Sequence, residues 1–298
     1  SNNLQQVGFA DFLYNPNNFM MYSWQLNGDL IKPGETKTSF TSPECIQALS
    51  WMKQFMDDEV GGAAQLQVFA ANFKGAAQDP FGQGRLAMRI DSPFRIPDLK
   101  KYFPDLDYGV APVPYAKTPA VEVVGNSLVI PKGSKHKQAA WEFIKFATSY
   151  KQIAAICKVG GRIPARRSAA RAPAFYANPK TRVFVDIAES GRSLPIIAGW
   201  QEAGQKLATE IEGALKGKKS PEKALSDASQ TCDLVLTRAN EDISGFPVIN
   251  WKLIGIIGFL ALAAGIGTYV SYIIRKTGHN KAKRSEALTF FLYASPWI

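Results

Sequence analysis

The sequence predicts an α/β outer region followed by one transmembrane helix. Three observations predict it: apolar residues at helical spacing behind capped starts, short strand-like runs alternating with them, and one long uncharged run near the end. Strands that alternate with helices are the signature of an α/β architecture. Residues 253–274, LIGIIGFLALAAGIGTYVSYII, carry no charge. About 20 apolar residues rising 1.5 Å each cross a hydrocarbon core of roughly 30 Å.

The elements follow in order. Ser42 before Pro43 and Glu44 is a helix start, with a side-chain cap, a proline at the first position and an acid in the first turn. Ile46, Leu49, Met52 and Phe55 then recur at helical spacing and predict one buried face. Gly82 and Gly84 precede residues 86–90, a strand that ends at Asp91-Ser92-Pro93. Residues 108–113 and 121–130 read as further strands, the second bent at Gly125-Asn126. Residues 137–159 are helical, with Ala140, Phe143, Ile144 and Ala147 on one face and Gly160-Gly161 as the stop. Helices are expected over 181–189, 197–215 and 221–238, the last opened by Ser220-Pro221-Glu222. Trp51 and Trp141 fall on helix faces and are expected in the core. Residues 241–252 read as a linker into the membrane. The expected domains are 1–247, 253–274 and 275–298.

Charge orients the crossing. Lys252 stands alone before the apolar run, whereas Arg275, Lys276, Lys281, Lys283 and Arg284 follow it. The positive-inside rule places the C-terminal side in the cytoplasm and the first 250 or so residues on the periplasmic or extracellular side. A cleaved signal peptide does not fit, because a signal sits at the N-terminus. The other reading is a buried core helix, but such helices usually keep a wet face.

Residues 251–298 hold six Lys/Arg and one Glu, and so +5 of the total +10. The remainder is spread too thinly for nucleic acid, and there is no aromatic-basic RNA motif. The basic cluster fits topology and anionic headgroups. Cys45, Cys157 and Cys232 are odd in number and far apart, which predicts neither a disulfide framework nor a Cys-pair zinc site. His136 and His279 sit in Lys-rich stretches, outside any triad context. No cofactor and no metal are expected. With no Met at Ser1 and a new apolar run, TFFLYASPWI, reaching Ile298, the sequence reads as an internal fragment.

Five segments in order carry a family resemblance: GQGRLAMRIDSPFR, DLDYGVAPVP, VVGNSLVIPKGSKHKQAAWEFIKF, GGRIPAR and GKKSPEKAL. Together, over residues 8–240, they resemble the C-terminal two-thirds of an extracellular sugar-type solute-binding protein, the maltose-binding-protein-like receptors of ABC importers. The resemblance implies a two-lobed periplasmic-binding-protein-like fold with a ligand cleft between lobes, its first strands and helices lying upstream of Ser1. The tail KRSEALTFFLYASPWI resembles the start of the sugar ABC permeases related to the maltose and glycerol-phosphate systems. Joining an outer receptor to a permease that begins inside requires one extra crossing, and residues 253–274 supply it.

The resemblance also nominates a site. Phe94, after Ser92-Pro93 at a strand end, matches the family's stacking aromatic; an ordinary core Phe is the other reading. Trp200 resembles an aromatic that lines the cleft, and its indole N–H wants a partner if buried. Gly125 and Asn126 fall where the family places ligand contacts and a hinge, although a plain turn explains them nearly as well. Gly161 frees the backbone for close approach, and Arg162 offers a fork suited to hydroxyls or phosphate. Tyr14, Tyr22 and Trp24 fall in a segment that contributes aromatics in the family.

The leading expectation is capture of a carbohydrate or sugar-phosphate ligand without chemistry, and its delivery to an ABC permease and, through it, a cytoplasmic ATPase. A membrane-anchored sensor signalling across one helix is the alternative. An anchored glycoside hydrolase needs two opposed carboxylates about 5–10 Å apart; Asp91 borders Phe94, but no second acid stands out.

Overall fold

The computed structural model describes residues 4–10, 18–32, 34–241 and 251–277, together with Ser285. Tyr14, residues 242–250 of the linker and, Ser285 aside, the tail past Thr277 lie outside them. β1 (Val7–Phe9) precedes α1 (Asn18–Gln25), every residue of which is buried. A helix apolar on most sides belongs in a core. Its Ser23 hydroxyl donates to the Phe19 carbonyl at 2.8 Å, and the Gln25 amide to the Ala120 carbonyl at 3.1 Å. Burial therefore leaves both groups paired.

α2 (Pro43–Val60) begins where its cap dictates: the Ser42 hydroxyl accepts the Cys45 N–H at 3.3 Å. It buries Cys45, Ala48, Leu49, Met52 and Met56. Ile46 and Phe55 pack against the same core from a half-buried position. Trp51 instead stands on the wetter side of the helix, edge-on to Tyr22 at 4.9 Å, so it is not enclosed in the core. α3 (Ala63–Ala71) follows, and β2 (Leu86–Met88) pairs in parallel with β1, Val7 opposite Leu86. α4 (Arg95–Tyr102) starts directly after Phe94.

β3 is only Val121–Glu122. Five helices come next: α5 (Lys137–Ala147), α6 (Tyr150–Val159), α7 (Arg167–Ala170), α8 (Pro173–Tyr176) and α9 (Pro179–Ile187). β4 (Gly191–Arg192) returns beside β3 as a parallel pair. A Cβ on Gly191 would sit 2.3 Å from Val123 Cγ2, so this close pairing needs a glycine. α10 (Trp200–Leu215) and α11 (Pro221–Ala239) then close onto α2. Their shared core draws on residues 4 to 121 and 194 to 236, and on none between 123 and 190. The intervening helices bury a smaller set of their own, including Ala147, Cys157, Ala169, Ala170, Phe175 and Val185. The chain thus forms two packing groups, with the β3–β4 pair where it passes from one to the other.

Three expectations change. The helix over 137–159 divides at Thr148-Ser149, where the Thr148 hydroxyl turns back onto the Ile144 carbonyl at 2.8 Å. Residues 108–113 and most of 121–130 are not strands. Their backbones form no ladder, because among the described residues no neighbouring strand receives their N–H groups. The α5 face does not close either: Ala147 is buried, whereas Trp141, Phe143 and Phe146 are exposed, as are Val124, Leu128 and Val129. An α/β architecture is therefore present as many helices and two short parallel strand pairs.

A separate unit holds α12 (Trp251–Thr277), of 27 residues and so about 40 Å long. Its stretch Gly255–Lys276 is long and apolar enough to cross a membrane. Arg275 and Lys276 occupy its last turn, where cations suit the negative end of the helix dipole.

Candidate ligand-binding site

The end of β2 and the start of α4 build a short, polar, turn-rich corner around Phe94. Ser92 and Pro93 carbonyls accept the N–H groups of Arg95 and Ile96 at 3.2 and 3.1 Å. Phe94 is thereby set at the helix entrance, 49% exposed as a residue. The Arg95 guanidinium lies 5.7 Å from the ring centre.

The second packing group reaches this corner through Gly161. Its φ is +62°, and a Cβ there would come within 2.6 Å of Pro97 and 3.2 Å of the Phe94 Cα. Only glycine fits both the left-handed backbone and that approach. Arg162 follows, its N–H held by the Cys157 carbonyl at 2.9 Å. Its guanidinium is exposed and forms no hydrogen bond or ion pair among the described residues. Phe94, Ser92, Gly161 and Arg162 therefore come together where the two groups touch.

The other nominated residues lie elsewhere. Trp200 is 8% exposed and opens α10 inside the main core. Tyr22 is equally buried, on α1. Gly125 and Asn126 follow β3 on the unpaired segment, and no heavy atom lies within 4 Å of where a Gly125 Cβ would be.

The corner also contains a charged network that the sequence pattern did not single out. Asp79 is buried, and its Oδ1 accepts the N–H groups of Phe81 and Gly82, both at 3.0 Å. Its Oδ2 pairs with Arg89 Nη1 at 2.6 Å. Arg89 Nε reaches Asp91 Oδ2 at 2.8 Å, and Arg95 Nε stands 3.5 Å from the same oxygen. The Ser92 N–H occupies Asp91 Oδ1 at 2.8 Å. Burial pushes the Asp91 carboxyl above its ordinary range, against the opposing pull of Arg89, the Ser92 N–H and Arg95. The available signal was the Asp-Pro pair at 79–80, an Asx-turn pattern, followed by Arg89 and Asp91 two apart just beyond β2.

A second concavity of about 240 Å³ lies near the β3–β4 pair, lined by Trp24, Asp29, Lys32, Arg192, Leu194 and Ile197 among others. Arg192 pairs with Asp29 at 2.5 Å and lies over the Trp24 ring at 5.4 Å.

A family model for bacterial extracellular solute-binding proteins matches residues 4–183. The chain belongs to that family. Within it, this solute-binding protein is 26% identical over 217 residues to a binding protein of Brucella abortus, covering 72% of this chain and 52% of the relative. It is 26% identical over 204 residues to the diacetylchitobiose binding protein DasA of Streptomyces coelicolor, covering 64% and 46%. The chain thus spans about half the length of the curated relatives it matches. Among solved structures, the sugar-binding protein MalE of Xanthomonas citri superposes with a TM-score of 0.68 at 21% identity, over 79% of this chain and 59% of that one. That likeness gives the fold, that of two-lobed periplasmic sugar-binding proteins.

Proposed function

We propose that this solute-binding protein captures a carbohydrate-like solute outside the cell and passes it to an ABC permease. The observation that carries the reading is the corner where Phe94 and Ser92 of one packing group meet Gly161 and Arg162 of the other. An exposed aromatic ring beside hydrogen-bonding groups suits a sugar, which has an apolar ring face and a hydroxylated rim. A site shared between two groups also gives ligand binding a way to favour a closed arrangement of the lobes. DasA and MalE, both named for saccharide binding, support the same class. No chemistry is required for this role. Trp200, Tyr22, Gly125 and Asn126 belong to the proposal as residues that the resemblance assigns to the cleft, the first two by shaping its floor from within the core.

The membrane part of the reading rests on α12. Ile257, Phe259 and Leu260 are more than half exposed along a helix that buries almost none of its apolar surface. Such a surface is costly in water and is at home in lipid. The basic residues after it set the C-terminal side in the cytoplasm, joined there to the start of a permease domain. A short tether then holds receptor and permease at an effective concentration on the order of millimolar, which lets weak docking suffice.

Calorimetric titration of the full-length protein in nanodiscs with maltose, mannobiose and N,N′-diacetylchitobiose tests the binding role. Saturable one-site binding is expected, with loss of affinity in Phe94→Ala. Failure of every saccharide, beside binding of a different solute class, would remove the carbohydrate assignment.

A further inference from the structure

The mild average charge of residues 1–250 hides a split. Residues 130–182 hold twelve Lys/Arg against one acid, Glu142, a net of +11. The rest of residues 1–250 holds 17 Lys/Arg and 23 acids, a net of −6. The excess therefore falls on α5 to α8, the loop before them and the start of α9. With so few acids nearby, most of it is unpaired. Lys145 pairs with Glu142, and Arg171 with Glu189. Lys180 and Arg182 lie over the rings of Tyr108 and Tyr176. Lys135, Lys137, Lys151, Lys158, Arg166 and Arg167 are exposed, and their side chains form no hydrogen bond or ion pair among the described residues.

Four of these cations gather on two helices. Lys151 and Lys158 are seven residues apart, about two turns of α6, and so share one helix face. α7 packs against α6, with Arg166 as its N-cap residue and Arg167 at its first position. Val159, 88% exposed, follows Lys158. Unpaired like charges repel one another and oppose the compact state, so this grouping does not serve the fold itself. A packed layer does not take in unpaired cations, and these side chains stay at the surface whatever covers the apolar ones of α5.

Such a surface fits an extended anionic one. A bilayer with anionic headgroups attracts Lys and Arg held close to it, and it accepts an aliphatic side chain such as Val159 at the acyl boundary. Chain length supplies the closeness. Nine residues, 242–250, separate the outer unit from α12, and fully extended they reach about 35 Å. With α12 in the bilayer, the cations meet headgroups at high effective concentration. Nucleic acid shares the charge but has no such tether.

We infer that the basic surface of α6 and α7, continued at the start of α5, docks on anionic phospholipid headgroups of the membrane that α12 crosses. The inference rests on the membrane-anchored part of the functional reading and is independent of which solute is captured. Docking holds the second packing group at the bilayer and leaves the first free to respond to ligand.

The test is amine-reactive footprinting of the full-length protein in nanodiscs, read at each lysine by mass spectrometry. Discs of phosphatidylcholine are compared with discs of equal phosphatidylcholine and phosphatidylglycerol. Lys151 and Lys158 are expected to label about fivefold more slowly in the anionic discs, and alike in both at 1 M salt, where the screening length is about 3 Å. Lys206 and Lys218, exposed outside this surface, are expected to label alike in both discs. Lys151→Glu combined with Lys158→Glu is expected to return Lys135 and Lys137 to their rates in neutral discs. Equal labelling of Lys151 and Lys158 in the two discs would overturn the inference, while retention of the chain in the discs would leave α12 standing as an anchor. Equal slowing at Lys206 and Lys218 would also overturn it, because uniform adhesion is not docking at this surface. Greater slowing by duplex DNA in neutral discs, at matched phosphate, would assign the surface to nucleic acid instead. A chain that elutes free of the discs would remove the membrane anchor, and this inference with it.

Discussion

Phe94 and Trp200 are both aromatic, both suggested by the same resemblance, and sit in opposite environments. Phe94 is half exposed at a helix entrance, and Trp200 is packed among the residues of α10, α11 and the main core. Truncating each to Ala should therefore separate binding from stability. Phe94→Ala is expected to change unfolding free energy by no more than about 0.5 kcal/mol, the usual scale for a surface site. It should weaken sugar affinity about tenfold, the worth of a lost aromatic contact. Trp200→Ala is expected to cost about 3–5 kcal/mol of stability. Urea denaturation beside calorimetric titration distinguishes them, and a Phe94→Ala protein with wild-type affinity would place the ligand elsewhere. The sequence exposed part of this site. Glycines at 160–161 and a Ser-Pro-Phe corner are local patterns, so their meeting place could be anticipated from the resemblance. The Asp79–Arg89–Asp91–Arg95 network was hidden because its members are spread over a turn, a strand and a helix start, and single charges on a sequence do not reveal their partners.

At the scale of elements, helix starts were legible, whereas of the expected strands 86–90 appears as β2 and 121–130 only as the two residues of β3. Ser42-Pro43 and Ser220-Pro221 mark α2 and α11 to within a residue, because a cap and a fixed proline φ act within one turn of chain. Asn178-Pro179 is the same signal for α9, its side chain accepting the Lys180 N–H at 2.9 Å. A strand depends on a neighbour, so the β-like composition of residues 121–130 yields only the two residues of β3 that find β4. The α10–α11 contact offers a direct measurement. Cys232 of α11 is fully buried, its thiol donating to the Ala203 carbonyl of α10 at 3.1 Å, and burial pushes its pKa up to about 11 from 9.0. The neutral thiol is thus the form that the fold accepts. Its contribution is intact below pH 9 and is lost as pH rises towards 11, where the unfolded chain ionises first. Wild type is expected to lose about 2 kcal/mol more than Cys232→Ala between pH 8 and pH 10.5. Urea midpoints at the two pH values check this, and parallel curves for the two proteins would refute it.

Among the described residues, one face of the second packing group is uncovered. Val124 and Val129 are 73% and 77% exposed, and Trp141, Phe143, Phe146 and Ile156 lie open on α5 and α6. Among the described residues, 108–116 and 124–130 form no backbone–backbone hydrogen bonds. Apolar side chains and unpaired backbone in the same stretches call for a layer that supplies both burial and a ladder, and further strands of the same lobe would do so. This accounts for the only partial legibility of the fold: a strand-like composition becomes a strand only where a neighbouring strand is present to pair with it. In residues 1–298 alone, the amides of 124–130 are expected to exchange with deuterium within seconds, and the chain should bind ANS through the open face. In a polypeptide extended to the length of the curated relatives, the same amides should slow by about a hundredfold or more and ANS binding should fall. Hydrogen-exchange mass spectrometry on the two chains makes the comparison. Equal, rapid exchange in both would mean that this face is not a lobe interior, and the two-group arrangement would then need a different partner to explain its exposed surface.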